Sequence, residues 1–138
     1  MLFHAVSPVI ESAPLGPSRR RYANAVAVIE TMRAPPPVLL QLFKGIEQAF
    51  GRRRGQRWGA RALDLDIVLW SGGVWATPEL TIPHPQFRAR DFVLGPARQI
   101  APDWRDPLTG LTVAQLHTRL TRPRPLPKAA RVVGPVAQ

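Results

Sequence analysis

Apolar residues recur at every second position over 63–69, within the stretch 61–70. Leu63, Leu65, Ile67 and Leu69 share one parity, and Asp64, Asp66, Val68 and Trp70 the other. This period of two predicts a strand that aims both carboxylates the same way, with Cα atoms about 6.5–7 Å apart. A helical period precedes it. Val38, Leu39, Leu42, Phe43, Ile46, Ala49 and Phe50 recur at steps of three and four, after Pro35-Pro36-Pro37 and before Gly51. Proline is accepted in a first turn and glycine is a common stop, so a helix is predicted between them. Residues 1–10 alternate weakly and predict a strand, residues 11–18 a loop, and the β-branched run 24–31 a buried strand. Past the Asp strand, Ser71-Gly72-Gly73 is a turn and residues 74–77 a short hairpin strand. Residues 81–85 are extended by their prolines. A short helix opens at Pro96 and runs to Ile100. Thr112 to Gln115 fits a capping box for a last helix with Val113, Leu116 and Leu120 on its buried face. The order of elements predicts an α+β fold, an antiparallel sheet with helices packed on it.

The chain has 138 residues, of which 45% are apolar, enough for one domain with a real core. From residue 121 onward it is basic and Pro-rich with no core-forming period, so a disordered tail is expected over 121–138. No uninterrupted apolar run approaches the roughly 18 residues of a membrane span, and no signal peptide is recognised at the start. Cysteine is absent, which excludes thiol chemistry. A cytoplasmic location is the default expectation. The formal net charge of +10 changes the picture more. It suits an anionic partner, either nucleic acid or a nucleoside triphosphate, although an Arg-rich coding bias alone would also produce it. The alternating basic and aromatic strands of common RNA readers are missing, which disfavours nucleic acid.

The acid pair sits directly after Gly51-Arg52-Arg53-Arg54-Gly55-Gln56-Arg57-Trp58-Gly59-Ala60-Arg61. Two neighbouring carboxylates repel unless a cation lies between or beside them. Hard carboxylate oxygens suit Mg²⁺, and arginine forks onto phosphate oxygens, so the pair and the run together make a candidate polyphosphate site. Trp58, set among glycines and arginines, is in an improbable place for a core residue. Phe92 fits a core or a binding role equally well, and a lone His84 is by default structural.

Several motifs occur in one order: Tyr22-Ala23-Asn24, Gly51-Arg52, Arg57-Trp58-Gly59-Ala60-Arg61, Leu63-Asp64-Leu65-Asp66-Ile67, Ile82-Pro83-His84-Pro85 and Arg90-Asp91-Phe92-Val93-Leu94. Together they closely resemble the 6-hydroxymethyl-7,8-dihydropterin pyrophosphokinase family of folate biosynthesis, from about Val6 to about Leu120. The resemblance implies a ferredoxin-like α+β fold over residues 1–120, incomplete at the N-terminus because the family's first strand and long helix would precede Met1. It implies transfer of pyrophosphate from ATP to the hydroxymethyl group of a reduced pterin. Asp64 and Asp66 would hold two Mg²⁺ ions, and Arg52 and Arg61 would act from a catalytic loop. Lys44, Glu47, Arg54, Arg57, Trp58, Ile67, Thr81, His84 and Arg90 match the ATP-binding positions, with Lys44 standing where the family carries an amide. Glu79 stands where some members carry a basic residue. Ser12, Ala13, Leu15, Tyr22, Asn24, Trp58 and Phe92 match the pterin-binding positions. The implied partners are these two small molecules, with no nucleic acid and no membrane, and the expected state is a monomer. The alternative is a non-catalytic truncated homologue that keeps a nucleotide or pterin pocket.

Overall fold

The weak alternation at the start of the chain becomes two short strands. In the computed structural model, which describes residues 1–12, 22–32, 34–53 and 63–123, β1 (Leu2–Val6) pairs antiparallel with β4 (Ala27–Glu30). β2 (Ile10–Ser12) pairs likewise with β3 (Tyr22–Asn24). The single strand expected over 24–31 is thus split, and Ser7 explains the break. Ser7 N–H donates to the Val26 carbonyl at 2.8 Å, and Val26 N–H donates to Ser7 Oγ at 2.9 Å. Ser7 is buried, so this exchange satisfies polar groups at the corner where one ribbon gives way to the other. A third ribbon pairs β5 (Trp75–Thr77) with β6 (Leu80–Ile82), so the hairpin strand expected to pair back across Ser71-Gly72-Gly73 pairs forward instead.

Three α-helices complete an α+β fold: α1 (Pro36–Arg53), α2 (Asp91–Ile100) and α3 (Val113–Thr121). α1 passes through Gly51 and ends two residues later. One glycine costs a helix only about 1 kcal/mol and does not by itself stop it. α2 starts five residues before Pro96 rather than at it. Burial of Leu94, Pro96 and Ala97 outweighs the hydrogen bond that proline removes. α3 begins where predicted. Gln115 N–H donates to Thr112 Oγ1 at 3.1 Å, and Thr112 N–H donates to Gln115 Oε1 at 2.9 Å.

The core gathers Phe87, Leu94, Ala97, Val113 and Leu116, with Val26, Val68, Leu69, Trp104 and Leu120 packed around it. Beside it lies Asp106, fully buried. Its carboxylate accepts from Arg88 Nε at 2.5 Å and Nη2 at 2.8 Å, and also from Leu108 N–H and Thr109 Oγ1. The fork of Arg88 above all, then the smaller donors, holds the Asp106 carboxyl down to about 2 against the opposing effect of burial. The pair pins the loop before α3 to the 3-10 turn Phe87–Ala89.

The helical stripe on α1 is only partly covered. Leu39 is buried, whereas Val38, Leu42 and Ile46 are 54%, 45% and 38% exposed. Residues 63–70, expected as a strand, are assigned to none. A strand is defined by its ladder, and no ladder to another strand forms along this stretch among the described residues. Leu63, Leu65 and Ile67 are half-buried while Asp64 and Asp66 are exposed, so the alternation survives as a pattern of exposure.

Removing Arg88 leaves the Asp106 charge buried without its main partner. Arg88→Ala should therefore lower unfolding free energy by about 3–5 kcal/mol in denaturant titrations at pH 7. Because the folded-state value is depressed, the Asp106 contribution is present above about pH 4 and fades as pH falls toward 2. The gap between wild type and Asp106→Asn should narrow over that window.

Candidate active site

The exposed acids are placed from behind. Val68 and Leu69 pack against the core, which anchors the segment immediately after Asp66. Two polar contacts orient it further. Leu65 N–H donates to Glu47 Oε2 of α1 at 2.6 Å, and the Val68 carbonyl accepts from His84 N–H at 3.0 Å. Glu47 is thus a tether for the acid segment, on the turn of α1 that follows the exposed Lys44. Nothing in the spacing announced this. The resemblance had marked Glu47 only as an ATP-binding position.

His84 follows Pro83, whose peptide bond with Ile82 is cis. Its Nδ1 accepts from Gln86 N–H at 3.2 Å, so a neutral ring carries its proton on Nε2. That nitrogen lies 4.0 Å from Asp66 Oδ2. Partial burial lowers the pKa of His84 from its ordinary value, Asp66 opposes this, and the Arg90 charge adds to the lowering. The imidazole is therefore neutral at pH 7 and presents an N–H toward the acid pair. Arg90, the residue before α2, donates from Nη2 to Gln86 Oε1 at 2.7 Å. Its guanidinium sits 5.5 Å from the centre of the Phe92 ring, a cation–π arrangement.

The structure therefore links five of the predicted residues: Glu47 to the acid segment, Asp66 to His84, His84 to Arg90, and Arg90 to Phe92. Asp64 is exposed two residues before Asp66, Ile67 is half-buried beside it, and Thr81 is exposed on β6. On the other ribbon Ser12 stands opposite Tyr22 and Ile10 opposite the half-buried Asn24. This ribbon lies against α2, the helix that carries Phe92. Arg52 lies in the last turn of α1. Ala13, Leu15, Arg54, Arg57, Trp58 and Arg61 lie outside the described residues.

Among the described residues no cluster of three or more His, Asp or Glu side chains could hold a metal alone. Asp64 and Asp66 offer hard oxygen donors of the kind Mg²⁺ accepts when water and phosphate complete its shell. A shallow groove of about 460 Å³ between α2 and α3, bordered by Arg98 and Arg119, lies away from these acids.

Two outcomes follow from this geometry. Glu47→Ala should speed hydrogen exchange at the Leu65 amide roughly tenfold, for the loss of one charge-assisted bond of about 1–2 kcal/mol. In NMR titrations His84 should titrate below 6.5, lower still in Asp66→Asn and higher in Arg90→Ala. An unshifted midpoint in both variants would contradict the placement of these three side chains.

The family model for 7,8-dihydro-6-hydroxymethylpterin-pyrophosphokinase matches residues 1–102. The chain is 45% identical over 105 residues to the 2-amino-4-hydroxy-6-hydroxymethyldihydropteridine pyrophosphokinase of Synechocystis sp., covering 76% of this chain and 53% of that protein. It is 46% identical over 104 residues to the protein of the same name from Pseudomonas aeruginosa, covering 75% and 64%. The Haemophilus influenzae protein of that name is 45% identical over 98 residues, covering 70% and 61%. The chain thus spans between about half and two thirds of the length of these relatives. The match takes in the tethered acid segment, His84 and the Arg90–Phe92 pair, and by it the chain belongs to the 7,8-dihydro-6-hydroxymethylpterin-pyrophosphokinase family.

Proposed function

We propose that this chain catalyses transfer of pyrophosphate from ATP to 6-hydroxymethyl-7,8-dihydropterin, giving AMP and the pterin diphosphate, a step toward folate. The observation that carries the reading is the exposed pair Asp64 and Asp66, tethered beside a neutral His84 that neighbours Arg90. In the reaction the hydroxymethyl oxygen attacks the β-phosphorus, the bond from that phosphorus to the α–β bridging oxygen breaks, and the hydroxyl proton is lost. Mg²⁺, when bound, supplies charge neutralisation and in-line alignment of the phosphates. Asp64 and Asp66 would hold two such ions. The protein's own side chains then bind and orient. His84 Nε2–H donates to a phosphate oxygen without adding a full charge, and Arg90 forks onto the same anion. Phe92 offers one face to the flat pterin ring, with Trp58 opposite it and Asn24 supplying a donor and an acceptor at the ring edge. Ser12, Ala13, Leu15 and Tyr22 complete the pterin side. Lys44, Glu47, Arg54, Arg57, Ile67 and Thr81 complete the nucleotide side. Arg52 and Arg61 close over the transferring group. The reading includes a ferredoxin-like arrangement, and a monomeric cytoplasmic protein that takes small molecules rather than nucleic acid.

The test is AMP formation from ATP, Mg²⁺ and the reduced hydroxymethylpterin, with calorimetry of a non-hydrolysable ATP analogue. Asp64→Asn and Asp66→Asn should each cut turnover by about 100-fold or more. His84→Ala should weaken analogue binding by about tenfold. Analogue binding without turnover would favour the non-catalytic alternative, and a folded wild-type chain that binds no analogue would reject both.

A further inference from the structure

Arg90 and Phe92 associate with each other, and the residue between them is committed to α3. Asp91 Oδ1 lies 2.8 Å from His117 Nε2. On the far side of the ring, His117 Nδ1 lies 3.3 Å from Arg98 Nη1. A guanidinium has donors only, so Nδ1 accepts and the neutral ring carries its proton on Nε2, where it donates to Asp91. The same Arg98 nitrogen donates to Thr118 Oγ1 at 3.0 Å and to the Ala114 carbonyl at 3.4 Å. Arg98 is thereby held to α3 on either side of His117. The α2 backbone runs close beneath this contact, and a Cβ at Gly95 would stand at ordinary contact distance, 3.4 Å from Asp91 Oδ1 and 3.7 Å from His117 Nε2. The imidazole is mostly covered, with 21% of its side chain exposed, whereas Asp91 is 68% exposed. An acid that exposed has little to gain in stability from a partner, so the contact matters chiefly for where it holds the first turn of α2.

We propose that His117 is a positioning residue for the same site. Through Asp91 it fixes the first turn of α2, and so keeps Arg90 and Phe92 in register with His84. It touches neither substrate. This rests on the function proposed above, because Arg90 and Phe92 matter only if they meet ATP and the pterin.

The test compares His117→Ala, His117→Gln and Leu120→Ala. Gln can still donate to Asp91 and accept from Arg98, whereas Leu120→Ala loosens α3 without touching the pair. His117→Ala should raise KM for ATP and for the pterin about tenfold with kcat within about threefold, since orientation and not the acid pair is disturbed. His117→Gln should return KM to within about threefold of wild type, and Leu120→Ala should lower melting temperature without moving KM. Unchanged KM in His117→Ala, or equal defects in the Ala and Gln variants, overturns the proposal. A wild-type chain that neither binds nor turns over ATP overturns the functional reading instead. The anchor is then judged by hydrogen exchange at the amides of residues 90–94. Faster exchange in His117→Ala that His117→Gln reverses supports the anchor, and unchanged exchange overturns it.

Discussion

Burial of Phe87, Leu94, Ala97, Val113 and Leu116 brings the chemistry to one place. Phe87 lies on the 3-10 turn with His84 three residues before it and Arg90 three residues after. Leu94 and Ala97 lie on α2, two and five residues past Phe92. Val68 and Leu69, which follow the two acids, pack against the same cluster. Each large side chain buried contributes about 1.5–3 kcal/mol, against about 0.5–1.5 for a typical hydrogen bond. The apolar contacts therefore decide which segments meet. The polar contacts then decide how they are turned: Glu47 to Leu65 N–H, His84 N–H to Val68, and Arg90 to Gln86.

The electrostatics of the site follow from that packing. Partial burial keeps His84 neutral, so it does not cancel the charge on Asp66. Under the proposed function Asp64 and Asp66 meet a cation, and Arg90 with the arginines of residues 52–61 meets an anion. In that reading Mg²⁺ and a polyphosphate arriving together would satisfy both demands, whereas neither a lone anion nor a lone cation would. A protonated His84 would compete for Asp66.

What was legible in the sequence was whatever repeats locally. The period of two over 63–70 put Asp64 and Asp66 on the exposed side, and the box at Thr112 and Gln115 started α3 at the right residue. Pairing was not legible, because a period reports faces and not neighbours. The acid segment alternates as a strand does, yet no ladder forms along it among the described residues. Punctuation misled where burial was stronger, with Gly51 inside α1 and Pro96 inside α2. The α1 stripe was legible as a helical period but not as a pattern of burial, and Val38, Leu42 and Ile46 sit on its exposed flank. The polar contacts were invisible for another reason. Glu47 with Leu65, Arg88 with Asp106 and Asp91 with His117 join residues 18, 18 and 26 positions apart. No periodicity spans such gaps, and the residue types involved are common on any surface.

Those long-range contacts also show where the site can yield. The acid segment, the His84 turn and the first turn of α2 each attach to the body of the fold through one or two polar contacts at their working ends. The residues behind them are locked in the core. Loss of any one contact costs far less than unfolding, so each piece can shift while the core stays intact. For the proposed reaction, which seats two substrates and releases two products, that arrangement is an advantage, because the core sets the site's location while weaker bonds set its aim. Orientation is then open to change by single polar side chains remote from the chemistry, without loss of the fold.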